Sequence, residues 1–412
     1  MKNCCAFVAI LYALLICNCA FHPSNAIVVI DLNKEYPEVD LALSDIADVS
    51  FIPLSGGDSV AFRTNMHGYD NSIFIDSNYL FIADYSPIEY DEETKTTTVL
   101  SNAAHLHMFE PDGDYIRTVV KPGMNENEFL GWGMNFTVHP NHRIISIHNV
   151  MGTEVKFFDY LGNYKGSYNL GKRYHQCISL NDIVLFVDYY SQFIASDGTN
   201  HENGRTLMFY DIETNISVDA GDLPVSPFSG KPEYSTRNKI VRTCSGAYWV
   251  TPRTDTIYHI DNNLQITPRF ISLWNGASSD NCVIPIVETQ EYIIFSNDID
   301  YVSEYKGNLK LKTYLLRKQD NKLFAINSHG YNSDGVERSI FKNEILMGNW
   351  ATTQTPNTLA YMLTMEFIRE NYEFIPDKLK HIACVTNENN SHILMVIRFK
   401  ESLKHISEFN VE

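Results

Sequence analysis

The feature that most limits the folds open to this chain is a recurrence. Short β-rich runs separated by turn residues recur from about residue 48 to the C-terminus, and from Ser72 onward they pair into six rounds. Ser72–Asp84 (SIFIDSNYLFIAD) is two such runs around Asp76-Ser77-Asn78. Leu106–Val120 repeats the pattern with a Pro111-Asp112-Gly113 turn, where glycine can take the positive φ a turn needs. Phe136–His148 with Val155–Tyr168 is a second round, and Cys177–Asp188 with Leu207–Val218 a third. Ile240–Val250 with Thr256–Leu273 follows, then Val283–Ser296 with Lys310–Asn327, then Arg338–Asn349 with His381–Phe399. Four strands per unit at a spacing of about forty to sixty residues predict an all-β chain, a six-bladed β-propeller of four-stranded antiparallel blades. A single blade cannot bury both of its faces, so the units must pack on one another.

Val49–Leu54 (VSFIPL) is a strand left over before the first unit. Pairing it beside the C-terminal strand completes the last blade and closes the ring, which removes free sheet edges. Pro356–Phe374 places Leu359, Met362, Leu363, Phe367 and Glu370 at helical spacing, and predicts a helical insertion packed outside the last blade.

Residues 1–26 read as an export signal: Lys2 supplies the positive start and Cys4–Ile16 the apolar core. Residues 27–412 then form a single propeller domain. Ser24-Asn25-Ala26 suits cleavage before Ile27; alternatively Cys17 or Cys19, just after the apolar core, becomes a lipidated first residue. No later stretch approaches ~18 uninterrupted apolar residues, so no transmembrane helix is expected. With 50 acidic against 32 basic residues, a net charge of −18 and no basic cluster, the chain repels phosphate backbones, and nucleic acid is not a partner. Cys177, Cys244, Cys282 and Cys384 permit three pairings and include no CxxC; they read as small buried strand residues.

No G-x-S-x-G, H-E-x-x-H or P-loop occurs. His105 and His107 share one face of a strand, a metal-ligand spacing, but no third ligand is placed beside them. They read as ordinary strand positions, as His139 and His142 read as a hairpin. Asp112/Asp114 and Asp298/Asp300 read as turn chemistry rather than calcium sites. No cofactor and no metal are therefore expected. The candidate ligand-binding residues are aromatic and lie in loops: Trp132 between Gly131 and Gly133, Trp350 after Gly348-Asn349, and Tyr189-Tyr190 at a strand end. Ring faces among amides and acids hold sugars and peptides by apolar contact with a few polar groups.

The order Leu43-Ser44-Asp45-Ile46, Phe51-Ile52-Pro53-Leu54, Ile82-Ala83-Asp84, Phe109-Glu110-Pro111-Asp112-Gly113, Asp159-Tyr160-Leu161-Gly162 and Asp255-Thr256-Ile257-Tyr258 resembles the NHL-like six-bladed β-propeller lipoproteins of Bacteroides-type bacteria. Gly123–Phe129 and Asn387–Leu394 depart from that family's glycine-rich loop and acidic strand start. The resemblance implies export to the periplasm, outer membrane or cell surface, favours the lipid anchor, and implies association with an outer-membrane uptake component. The expected function is binding of a glycan, peptide or envelope protein at one propeller face. The alternative is a propeller enzyme (lyase, lactonase or glycosidase) using channel-mouth carboxylates or a metal.

Overall fold

The computed structural model describes residues 27–39, 41, 43–55, 72–84, 88–91, 96–99, 105–129, 134–149, 152–171, 174–188, 206–222, 239–250, 256–273, 282–298, 313–326, 351–373, 375–385 and 392–402. The chain opens with β1 (Val28–Asp31), β2 (Glu38–Val39), helix α1 (Leu43–Ile46) and β3 (Ala47–Pro53). Blade one is β4 (Ile73–Ile75), β5 (Leu80–Asp84), β8 (His105–Phe109) and β9 (Tyr115–Pro122), with β10 (Glu128–Phe129) added in parallel. Between β5 and β8 the chain inserts a separate hairpin, β6 (Ile88–Asp91) with β7 (Thr96–Val99). Blade two is β11 (Met134–His139), β12 (Ile144–Asn149), β13 (Glu154–Asp159) and β14 (Tyr164–Asn169). Blade three is β15 (Tyr174–Leu180), β16 (Ile183–Asp188), β17 (Thr206–Asp211) and β18 (Ile216–Asp222). Blade four is β19 (Lys239–Thr243), β20 (Gly246–Val250), β21 (Thr256–Asp261) and β22 (Ile266–Leu273). Blade five is β23 (Cys282–Glu288), β24 (Tyr292–Asp298), β25 (Thr313–Arg317) and β26 (Lys322–Ile326). Blade six is β27 (Ala351–Thr352), β28 (Thr358–Thr364) and β29 (His392–Phe399), completed on its outer side by β3.

The ring therefore closes as the leftover strand predicts, with Ala47 opposite Phe399 and Pro53 opposite Ile393. Closure goes further than one strand. β1 pairs in parallel with β22 of blade four, and β2 with β26 of blade five. The N-terminal residues thus run around the outside of blades four, five and six in turn. Tyr36 holds the intervening segment, its hydroxyl accepting from the Asp31 amide at 2.8 Å and its ring meeting Tyr314 edge-on.

Inner strands read as continuous apolar runs because each blade is covered on both faces; β4 and β5 are buried at every residue, whereas the outer β14 alternates exposed and half-buried. Every seam of the ring is an apolar layer. Phe81 and Phe136 fill the one–two seam, Phe157 and Tyr210 the two–three seam, Ile178 and Trp249 the three–four seam. Phe270, Phe295 and Met395 continue it through blades four, five and six, and Ile82 with Leu394 closes it between six and one. Each fully buried aromatic or aliphatic side chain contributes about 1.5–3 kcal/mol. Turn glycines serve the same packing: Gly113 takes φ +101° and presses on the Pro53 carbonyl of the closing strand, where a Cβ would sit 2.2 Å from the oxygen. Gly162 meets Val119 of the preceding blade in the same way.

The last blade departs from the sequence reading. Thr358–Thr364 is a strand rather than the start of a helix, and the helical insertion consists of α2 (Met365–Glu370) and α3 (Asp377–Val385), which lie between β28 and β29. The run TLAYMLT sits mid-sheet, with Leu359 and Leu363 turned to one seam and Ala360 and Met362 to the other, so apolar residues fall on both faces and imitate helical spacing. Thr364 caps α2 by accepting from the Phe367 amide at 3.0 Å. Its inner strand pair is β27 with β28, Arg338–Asn349 lies outside the described residues, and His381 belongs to α3.

The three cysteine thiols described are free. Cys177 is buried on a strand as expected, but Cys244 and Cys384 are exposed, in the β19–β20 turn and on α3.

Candidate functional site

In a meander the first strand begins at the same edge of the sheet at which the second ends and the third begins. We call that edge the upper rim and the opposite edge the lower rim. Asp84 ends β5 and His105 begins β8 at the upper rim, directly opposite each other in register. Opposed residues of an antiparallel pair share a face, and so do residues two apart, so Asp84, His105 and His107 project to one side of blade one. Their ligand atoms all lie within 4.8 Å of one another. The two imidazoles stack nearly parallel, at 10° with centroids 5.5 Å apart. Asp84 is 7% exposed and His107 3%, while His105 is half-buried. Ile82 and Phe109, on the same face, pack with Leu394 and Val396, so the group stands where the ring closes between blades six and one.

A supporting layer comes from β9. Thr118, opposite His107 in register, places its Oγ1 3.1 Å from His107 Nδ1, and Tyr115 Oη lies 2.8 Å from the same Oγ1. Burial, with the neighbouring His105 adding to it, lowers the His107 pKa to about 4 and keeps that ring neutral at pH 7.

Asp84 is the residue that sequence reading missed: it supplies the third group beside the His105/His107 pair. A twenty-residue interval holding the β6–β7 hairpin separates it from His105, so only the strand register reveals the juxtaposition. Trp132, Tyr189, Tyr190 and Trp350 lie outside the described residues. The described residues next to them are strand ends: Met134 begins β11, Asp188 ends β16 and Ala351 begins β27. By the meander rule each is an upper-rim position.

The lower rim is built differently. Glu288 ends β23 and lies almost fully buried; Lys318 Nζ donates to its Oε1 at 2.8 Å, and the Ser245 hydroxyl donates to Oε2. His259 Nε2 is 2.9 Å from that hydroxyl. Burial pushes the Glu288 pKa up, but the Lys318 ammonium and the Ser245 hydroxyl outweigh it and the net direction is down. His139 is fully buried between Thr137 Oγ1 at 2.8 Å and Ser179 Oγ at 3.2 Å, which joins blades two and three. Side-chain amides cap the axial edges of first strands towards both rims: Gln176 Oε1 accepts from the Ile240 amide near the upper rim, and Gln354 Oε1 accepts from Val138 and Asn357 Oδ1 from Glu288 near the lower. The Asp112 carboxylate accepts from the Asp114 amide at 3.3 Å, the turn role expected of it. His142 Nε2 lies 3.1 Å from Asp182 at a hairpin turn, again structural.

Among the described residues no helix is long and apolar enough to cross a membrane. No family model and no curated protein matches the chain. A solved structure of an inferred exported protein from Bacteroides fragilis superposes with a TM-score of 0.60 at 15% identity, over 91% of this chain and 100% of that one. A hypothetical selenium-binding protein from Sulfolobus tokodaii superposes at 0.42 with 11% identity, over 62% of this chain and 64% of that one. At such identities a likeness speaks for fold alone, and the first of these is extensive enough to do so. This chain is a six-bladed β-propeller, similar in fold along nearly its whole length to a Bacteroides protein named for export.

Proposed function

We propose that the protein is an exported propeller that binds a glycan, a peptide or an envelope protein across its upper rim, in association with outer-membrane nutrient uptake. The observation that supports this reading is that the described strand ends nearest in sequence to Trp132, Tyr189-Tyr190 and Trp350, namely Met134, Asp188 and Ala351, all stand at that one rim. A rigid ring presenting aromatic loops at one end binds by apolar contact and a few polar groups, at little cost in ordering. Among the described residues the lower rim is laced by internal hydrogen bonds and a buried ion pair.

Arrays of glycans and peptides, probed with the chain from Ile27 onward, test the reading. Trp132→Ala and Trp350→Ala should each weaken retention by about tenfold, as truncation of an aromatic anchor does. Equal retention of both variants and the parent would remove the rim from consideration. Export is tested by the mass of the mature N-terminus, which distinguishes a chain starting at Ile27 from one acylated at Cys17 or Cys19.

The enzyme reading draws on Asp84, His105 and His107, a carboxylate and two imidazoles gathered at the same rim. Turnover of an array ligand by the parent and not by Asp84→Asn would favour it over simple binding.

A further inference from the structure

We propose that Asp84, His105 and His107 form a binding site for a divalent transition metal of the zinc class. The inference stands on strand geometry and does not depend on which ligand the rim aromatics hold. Three neighbouring strands supply it. β5 brings the carboxylate, β8 both imidazoles from one face, and β9 the Thr118 hydroxyl behind His107. Register and pleat alone aim these groups together, and burial of Asp84 and His107 limits the rotamers open to them.

The donor set selects the ion. Calcium and magnesium take oxygen ligands throughout, and copper(I) favours thiolate or thioether sulfur. Two imidazole nitrogens and one carboxylate oxygen suit zinc and its first-row neighbours. Ligand atoms at about 2.0–2.2 Å from zinc lie about 3–3.6 Å from one another, so atoms already within 4.8 Å converge through small side-chain rotations. A metal-bound histidine is held in place by a partner on its other ring nitrogen. Thr118 Oγ1 on Nδ1 plays that part here, itself held by Tyr115.

Three protein ligands leave at least one coordination position for water or a ligand. Asp84 ends β5 and His105 begins β8, and the β6–β7 hairpin lies between these two ligands in the chain. His392 begins β29 on the facing blade, with the face parity of Leu394 and Val396, yet stands outside the group. It provides a matched control.

The test is a zinc titration of the chain from Ile27 onward, stripped with a chelator and followed by competition with a chromophoric zinc indicator. The expected result is one ion per chain, with affinity falling at least about tenfold in His105→Gln and in Asp84→Asn and unchanged in His392→Gln. Zinc should also raise the melting temperature of the parent and not of His105→Gln, because an ion that binds only the folded chain stabilises it. His105 is half-buried, which makes its substitution the one best tolerated; should it still fail to fold, cobalt(II) added to the parent decides. Intense visible absorption would report a low-coordinate nitrogen and oxygen site and support the proposal. Absence of that absorption, absence of zinc uptake, or equal uptake by parent and His105→Gln would overturn it.

Discussion

The two rims each bury a carboxylate near histidine, and they treat it in opposite ways. At the lower rim Glu288 meets a built-in ammonium at 2.8 Å and a serine hydroxyl, while its own backbone amide bonds Asn357 of the neighbouring blade. Charge and hydrogen bonds are satisfied inside the fold, and the group fastens blades four, five and six together. At the upper rim Asp84 stands in a group with two imidazoles, one of which burial keeps neutral. Two imidazole nitrogens and a carboxylate oxygen within 4.8 Å of one another form a donor set that suits a cation. The same residue types therefore brace the ring at one end and can recruit a ligand at the other.

The largest effect that would break this contrast is at the lower rim. Replacing Lys318 with Met leaves Glu288 buried and unneutralised, and should cost about 3 kcal/mol of unfolding free energy in denaturant titration, since breaking a buried pair costs about 3–5 kcal/mol and Lys318 is partly exposed. Adding Glu288→Gln should recover part of the loss. A Lys318→Met variant as stable as the parent would mean that the lower group is no brace. The pair also has a pH signature: a carboxyl held below its ordinary value contributes stability above that value and loses it as the pH falls through the lowered one.

The upper rim has the opposite partner and a different pH window. His107 titrates at about 4 in the folded chain against an ordinary value of about 6.5, so the unfolded chain binds the proton first as pH falls. In metal-free protein the stability due to His107 is complete above pH 6.5 and is lost progressively towards pH 4, to a limit of about 3 kcal/mol. His392, lowered to about 4, and His139, lowered to about 3, act in the same sense, both through burial. His107→Gln should make the acid limb of a stability–pH curve shallower by one proton, leaving the slope due to the other two. An unchanged limb would show that His107 is not held neutral by the fold.

The architecture was far more legible than the site. Turn chemistry and β-rich pairs are local signals, and the six blades follow from them: Asp159, Asp211 and Asp261 each accept from amides two to four residues ahead, the turn role their positions suggest. The outer strands β1 and β2 carry no such signal, because they join blades four and five in parallel, about 240 and 290 residues away in the chain. Thr358–Thr364 misled because a strand buried on both faces has no period of its own. Asp84 was hidden for a different reason. Its register with His105 would follow from a tight turn, but the β6–β7 insertion replaces that turn, and only the far end of the pair, Leu80 opposite Phe109, anchors the count.

The smallest expected effect sharpens the contrast most finely, because it separates a ligand-supporting role from a bracing one. Thr118 contacts both His107 Nδ1 and Tyr115 Oη. Thr118→Val keeps the shape of the side chain and removes the hydroxyl, so its cost in stability should be about 1 kcal/mol, the ordinary worth of one hydrogen bond. Its cost in zinc affinity should be larger, about 10–100-fold, because an imidazole without its outer partner is free to turn. Equal losses in stability and affinity would make Thr118 a packing residue and weaken the distinction between the rims; an affinity loss well beyond the stability loss would show that β9 exists in part to aim His107.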